Sequence, residues 1–292
     1  MKTVVFLVLF LIRTVVFAGD EAILKNDLIN PLHKTVTGNV SVFSLPYFLK
    51  GRRVWVYLPP NYDKETSKSY PVLYMQDGQN LFDSKESFAG EWEVDESLEK
   101  IFSQNQALPF IVVGVDNGGA ERMSEYTPWK DLRYGGGGAD EYLKNLKDYL
   151  MPEINRRYRT KTGPENTFIG GSSLGGLLSA YAVFAYPQIW GGALAMSPSY
   201  WWADKKFLDW FSSVKKPDNI VFYQDIGNKE GGEEAEEHLN NFREAERLFL
   251  IKGFVKNKDF FSLEFDGHYH SEKFWALRFP QAVRLMFPVK YL

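Results

Sequence analysis

The segment Thr167-Phe-Ile-Gly-Gly-Ser-Ser-Leu-Gly-Gly176 contains the pattern Gly-x-Ser-x-Gly as Gly171-Ser172-Ser173-Leu174-Gly175. Only Ser173 has glycine two residues away on both sides; a pattern centred on Ser172 would need glycine where Leu174 stands. A serine hydroxyl held at a sharp strand-to-helix turn is exposed as a nucleophile, and small neighbours let strand and helix approach closely. The helix N-terminus behind it supplies free amides and positive partial charge, so the Leu174 amide would face an oxyanion. An apolar strand pattern precedes this turn, and a helix pattern rich in Leu, Ala, Tyr and Val follows it. The chemistry such a serine can do is acyl transfer through a covalent ester.

That chemistry needs a base, and the base needs an orienting acid. In the strand–turn–helix serine enzymes the order along the chain is Ser, then Asp or Glu, then His. Three of the four histidines follow Ser173: His238, His268 and His270. His238 sits in a charged helix pattern and reads as a solvated face residue. His268 and His270 share the loop Asp266-Gly-His-Tyr-His-Ser271, where an imidazole can emerge towards the nucleophile; spacing does not choose between them. Asp225 and Glu230, in Gln224-Asp-Ile-Gly-Asn-Lys-Glu-Gly231, are the candidate acids. Asp225 abuts a strand, whereas Glu230 lies further along the loop with more reach. A second oxyanion amide is expected from Gln76-Asp-Gly-Gln-Asn80, near Gly78 or Gln79.

The elements that must position these groups alternate. Strand patterns fall at Val54–Leu58, Pro71–Met75, Ile111–Val115, Thr167–Gly170, Ala193–Met196, Ile220–Gln224 and Phe260–Phe265. Helix patterns fall at Trp92–Phe102, Ala139–Tyr158, Leu174–Ala185, Lys205–Phe211, Glu234–Lys252 and Ser271–Phe287. Near-continuous apolar strands separated by helices imply an α/β fold, a mostly parallel sheet covered on both faces. Thr35–Leu58 carries strands without helices between them and reads as an antiparallel edge. Gly135 to Gly138 lacks the Lys-Ser/Thr of a phosphate loop and reads as a mobile surface loop. No Pro/Ser-rich linker divides the chain, so one domain over residues 19–292 is expected.

Composition narrows the function classes. A net charge of -3 over 292 residues lacks the basic excess of a nucleic-acid binder. Without cysteine, thiolate catalysis and cysteine-ligated metal sites are excluded, and no His-Glu-x-x-His pair is present. No metal or organic cofactor is implied. Residues 1–18 pair Lys2 with an apolar run and end in Val16-Phe-Ala18, a signal-peptide pattern that Arg13 interrupts. Secreted or periplasmic placement, with no membrane span in the mature protein, is expected.

Several segments together resemble the esterase family of α/β-hydrolases that includes esterase D, feruloyl and acetyl-xylan esterases, and the enterobactin and bacillibactin esterases. They are Tyr70 to Asp83 (YPVLYMQDGQNLFD), Arg122 to Trp129 (RMSEYTPW), Phe168 to Gly176 (FIGGSSLGG), Ser197 to Trp202 (SPSYWW) and Gly267 to Trp275 (GHYHSEKFW). The resemblance implies an α/β-hydrolase fold without a large cap domain. It also implies a serine carboxylic ester hydrolase acting through an acyl-enzyme. It favours His270, five residues before Trp275, as general base. It favours Glu230 as acid, since Gly227-Asn-Lys-Glu230 matches a Gly-Thr-x-Asp-like turn of feruloyl-esterase relatives. With Ser173 as nucleophile, the oxyanion hole falls to the amides of Leu174 and Gln79. Tyr126, Trp129, Tyr200, Trp201 and Trp202 are the candidate substrate walls. Arg122 and Glu125 are a candidate ion pair or substrate contact. The expected substrate is a small-molecule or carbohydrate-linked ester, an acetyl or feruloyl ester of a polysaccharide. The alternatives are a siderophore trilactone, acyl transfer to an alcohol on the same scaffold, or a binding protein with a decayed triad.

Overall fold

The structure, a computed structural model, describes residues 35–87 and 89–289. The leader pattern at 1–18 lies outside the described residues. One sheet runs through the molecule. Its strands are β1 (Asn39–Ser44), β2 (Arg53–Leu58), β3 (Val72–Gln76), β4 (Ile111–Val115), β7 (Thr167–Ser172), β8 (Gly192–Met196), β9 (Val221–Gly227) and β10 (Phe260–Phe265). A separate two-stranded ribbon joins β5 (Lys130–Asp131) to β6 (Gly135–Gly136). The order across the main sheet is β1-β2-β4-β3-β7-β8-β9-β10. β1 pairs antiparallel with β2, and β2 with β4. Every other neighbour is parallel. The antiparallel edge expected at Thr35–Leu58 is therefore formed.

The helices are α1 (Val94–Ser103), α2 (Arg122–Glu125), α3 (Ala139–Asn145), α4 (Met151–Arg157), α5 (Leu174–Ala185), α6 (Trp202–Ser213), α7 (Ala235–Ile251) and α8 (Glu272–Met286). The single helix expected at Ala139–Tyr158 is α3 and α4 joined by a wider turn at Leu146–Leu150. Alternate residues of each strand feed opposite cores. Along β2, Val54, Val56 and Leu58 enter the core under α3, α4, α5, α6 and α7. Trp55 and Tyr57 enter the core under α1 and α8. Because both faces are covered, β3, β4 and β8 are buried throughout, which is why they read as apolar runs rather than alternations.

The glycine run at 135–138 is not a free loop. Gly136 pairs with Lys130, and a Cβ there would collide with Thr127 Oγ1 and lie 2.8 Å from Trp202. Composition marks the run as a loop; the contact that fixes it comes from residues distant in sequence.

Candidate active site

β7 ends at Ser172 and α5 begins at Leu174, which leaves Ser173 as the turn itself. Its backbone sits at φ 57, ψ -121, a region that L-residues avoid. Neighbouring strands hold it there. The Ser173 amide donates to Met196 O (3.0 Å), and its carbonyl accepts from the amides of Leu177 (3.0 Å) and Ser199 (3.1 Å). The flanking glycines are steric necessities. A Cβ on Gly171 would lie 3.1 Å from the Gly175 carbonyl carbon and 2.8 Å from Gln76 Oε1. The Ser173 hydroxyl lies 3.3 Å from Ser199 Oγ; among the described residues it forms no hydrogen bond with His270.

Of the two loop histidines, His270 faces Glu230. Its Nδ1 is 2.8 Å from Glu230 Oε2, and its side chain is 37% exposed. His268 packs instead between Phe265 and Phe274. His238 is half-buried and stacks over Trp201, rather than standing on an open helix face. Glu230 is 2% exposed and arrives through the turn after β9. Its Oε1 accepts from the Gly227 amide (2.7 Å), Ser197 Oγ (2.7 Å) and Arg278 Nη2 (3.2 Å). Burial alone would raise this carboxyl. The hydrogen bond and charge of His270, the Arg278 charge and the Ser197 hydroxyl outweigh burial and hold it below its ordinary value.

Asp225 takes a different place. It lies within β9, wholly buried, and accepts from Tyr223 Oη (2.8 Å) and the Ser197 amide (3.3 Å). Burial pushes its carboxyl up to about 6, against the opposing pull of Arg278. Arg278, 0% exposed, stands between the two acids, with Nη1 3.4 Å from Asp225 Oδ1 and Nη2 2.9 Å from Ser197 Oγ. Trp275 Nε1 donates to the same Ser197 hydroxyl at 2.8 Å. The sequence reading missed Ser197 and Arg278. A basic residue three positions after Trp275, on the apolar face of α8, was the available signal for Arg278.

Ser173 and His270 line one cavity of about 580 Å³, with Asp77, Gln79, Asn80, Trp92, Asn117, Arg122, Glu272 and Trp275 among its walls. The turn carrying Gln79 can lie against β4 because two glycines meet: a Cβ on Gly78 would sit 2.7 Å from the Gly114 carbonyl carbon. Among the described residues neither the Leu174 nor the Gln79 amide has an intramolecular acceptor. Arg122 does not pair with Glu125. Its guanidinium forks onto Asp77 (2.7 and 2.8 Å), while Glu125 is taken by Arg52 (2.8 and 2.9 Å).

The aromatic walls differ most from expectation. Tyr126, Tyr200 and Trp202 are core residues and cannot present a face to substrate. Tyr126 accepts the Asp77 amide, Tyr200 donates to Gln224 and Trp202 donates to the Trp129 carbonyl. Trp129 packs against Tyr181 and Trp210. Trp201 lines a separate cleft of about 480 Å³ with Tyr134 and His238. The aromatic residues lining the Ser173 cavity are Trp92 and Trp275, themselves largely buried, with ring centroids 5.7 Å apart and planes tilted by 40°. Aromatic residues at a strand's end serve the core as readily as a pocket, and only packing tells them apart.

The family model described as "Putative esterase" matches residues 48–286. The chain is 24% identical over 225 residues to an iron(III) enterobactin esterase of Dickeya dadantii (strain 3937), covering 77% of this chain and 47% of that protein. It is 28% identical over 142 residues to an endo-1,4-beta-xylanase/feruloyl esterase of Xylanibacter ruminicola, covering 47% of this chain and 18% of that one. The chain thus spans less than half the length of these two relatives. The solved BES protein from Bacillus cereus shares the fold, with a TM-score of 0.69 and 20% identity over 89% of this chain and 99% of that one. Among the described residues no helix is long and apolar enough to cross a membrane. Matched from just before β2 to the end of α8, the chain belongs to the Putative esterase family, carboxylic ester hydrolases of the α/β-hydrolase fold.

Proposed function

We propose that this chain hydrolyses carboxylic esters through an acyl-enzyme on Ser173, with His270 as general base and acid and Glu230 as the orienting carboxylate. The observation that carries this reading is the buried, multiply anchored Glu230 on His270 Nδ1, beside the cavity that Ser173 also lines. The Glu230 contact keeps the proton on Nδ1 and leaves Nε2 free for the serine. His270 is exposed enough to close the remaining gap when substrate binds, and such bonds tighten in the reactive complex. Ser173 Oγ attacks the ester carbonyl and passes its proton to Nε2. The oxyanion forms against the Leu174 and Gln79 amides, each worth about 2.7–4 kcal/mol. The alcohol leaves with the proton from Nε2, and water repeats the sequence to release the acid.

For substrate we favour an acetyl or feruloyl ester of a polysaccharide. The charged lining is Asp77, Glu272, Arg122 and His270, and the Arg122 guanidinium is already committed to Asp77. Among the described residues that leaves no uncommitted Lys or Arg in the lining to draw in an anionic ester. Trp92 and Trp275, only 3% and 4% exposed, give the cavity an apolar edge against which an acyl group can rest. The second reading, a siderophore trilactone, rests on the relative named iron(III) enterobactin esterase. Export on the 1–18 leader, which would bring the enzyme to either substrate, is tested by the N-terminal sequence of the secreted chain.

The test is turnover of p-nitrophenyl acetate, methyl ferulate and a catecholate trilactone by the protein and its Ser173→Ala variant. The variant should lose about 10⁶-fold in kcat. Turnover that persists in Ser173→Ala would remove this serine from the mechanism. Preference for the trilactone would replace the polysaccharide reading. Product carried on an added sugar alcohol, in place of free acid, would mark an acyltransferase.

A further inference from the structure

At the start of α1, Glu91, Asp95 and Glu96 converge, with one oxygen of each within 4.8 Å of the other two. Each also has a buried carboxylate oxygen that accepts no hydrogen bond: Glu91 Oε1, Asp95 Oδ1 and Glu96 Oε2. Asp95 is 0% exposed. Its Oδ2 accepts the Thr37 amide at 2.6 Å, and Glu96 Oε1 accepts the Thr37 hydroxyl at 3.2 Å. The chain before β1 thus satisfies one oxygen of each of these two carboxylates; the Asp95 and Glu96 carboxyls are otherwise within hydrogen-bond reach of each other, where only a proton or a cation can join them, and burial pushes Asp95 up to about 8. Among the described residues no Lys or Arg is paired with any of the three. Three carboxylates so close, one wholly buried, are costly without a counter-charge.

We propose that Glu91, Asp95 and Glu96 bind a hard divalent cation, Ca²⁺, independently of the catalytic cavity. Ca²⁺ takes oxygen ligands at about 2.3–2.6 Å, so any two of them stand no more than about 5 Å apart, a limit the three carboxylates meet. An all-oxygen donor set without His or Cys disfavours Zn²⁺ and copper. Water fills the remaining positions, as Ca²⁺ sites allow. The consequence reaches the active site through Trp92, next to Glu91. Trp92 donates its amide to Asn80 O (2.9 Å), packs on Trp275 and Phe279, and walls the Ser173 cavity. A cation tying Glu91 to the first turn of α1 holds that wall in place.

The competing arrangement is a carboxyl cluster neutralised by shared protons, which takes no metal. The two separate in a calorimetric titration of EDTA-treated, dialysed protein with CaCl₂ at pH 7.5, alongside a thermal melt. We expect one site per chain and a Tm rise of about 5 °C at a hundredfold excess over Kd. Tb³⁺ excited through tryptophan should give sensitised emission that Ca²⁺ displaces. That emission should weaken in Trp92→Phe, which keeps all three carboxylates. Binding should fall at least tenfold in Asp95→Asn and in Glu96→Gln. No heat and no Tm shift up to about 10 mM Ca²⁺, beyond the range of weak extracellular sites, would overturn the proposal. So would full binding in both variants, or Tb³⁺ emission indifferent to the loss of Trp92.

Discussion

Replacing Arg278 with methionine tests the electrostatic design of the site. The guanidinium is shared by two buried acids, 3.4 Å from Asp225 and 3.2 Å from Glu230. Removing one partner of a buried ion pair typically costs about 3–5 kcal/mol, because the other charge is left without compensation. The Asp225 share has a ceiling, since the carboxyl can take a proton instead. With its pKa pushed up to about 6 by burial, protonation at pH 8 costs about 2.7 kcal/mol and almost nothing at pH 6. Arg278→Met should therefore lose about 3–5 kcal/mol at pH 8, and roughly 2–3 kcal/mol less at pH 6. Urea unfolding at the two pH values measures both quantities. The acidic limb of kcat/KM should also move to higher pH, because Glu230 loses a group that holds it ionised. Arg278→Lys keeps the charge but not the planar fork and should fall between. A loss under about 1 kcal/mol at pH 8, or one of equal size at both pH values, would refute the argument and assign Arg278 to packing alone.

The two acids should respond to pH with opposite signs. The folded-state value of Asp225 is raised above its ordinary 3.8, so its contribution to stability grows as pH falls from 7 through about 6. The stability of the wild type relative to Asp225→Asn should grow by about 2.4 kcal/mol between pH 7.5 and 4, read from urea midpoints. Glu230 is held below its ordinary 4.5, so its contribution is present above pH 4.5 and lost as pH falls through the lower folded value. Glu230→Gln should flatten that acid limb of stability and cut kcat by about 10³–10⁴-fold, as mis-set imidazole tautomers do; an unchanged kcat would leave Ser173 and His270 acting without an acid. Gly171→Ala places a methyl group 3.1 Å from the Gly175 backbone. It should cost about 1–3 kcal/mol and lower kcat more than it raises KM, measured by thermal melts and steady-state kinetics.

Much of this arrangement was written locally. The turn at Ser173 is legible because its requirements are local: glycines at fixed offsets, an apolar strand before and a helix after. The layered sheet is legible because burial on both faces leaves near-continuous apolar strands between amphipathic helices. The choice between Asp225 and Glu230 was not local. Asp225 lies within β9 and Glu230 three residues past its end, and what separates their roles is His270, 40 residues beyond Glu230. The shared Arg278 and the Ser197 hydroxyl come from two further elements, and no spacing relates them. The aromatic run at Tyr200 to Trp202 shows the same limit. Periodicity marks such side chains as apolar, but whether one faces a core or a cavity depends on what the rest of the chain packs against it. Local sequence therefore determined the elements and the turn at Ser173, whose physics acts over a few residues. Tertiary packing decided which acid meets the imidazole and which tryptophans line the cavity, because those are contacts between distant segments.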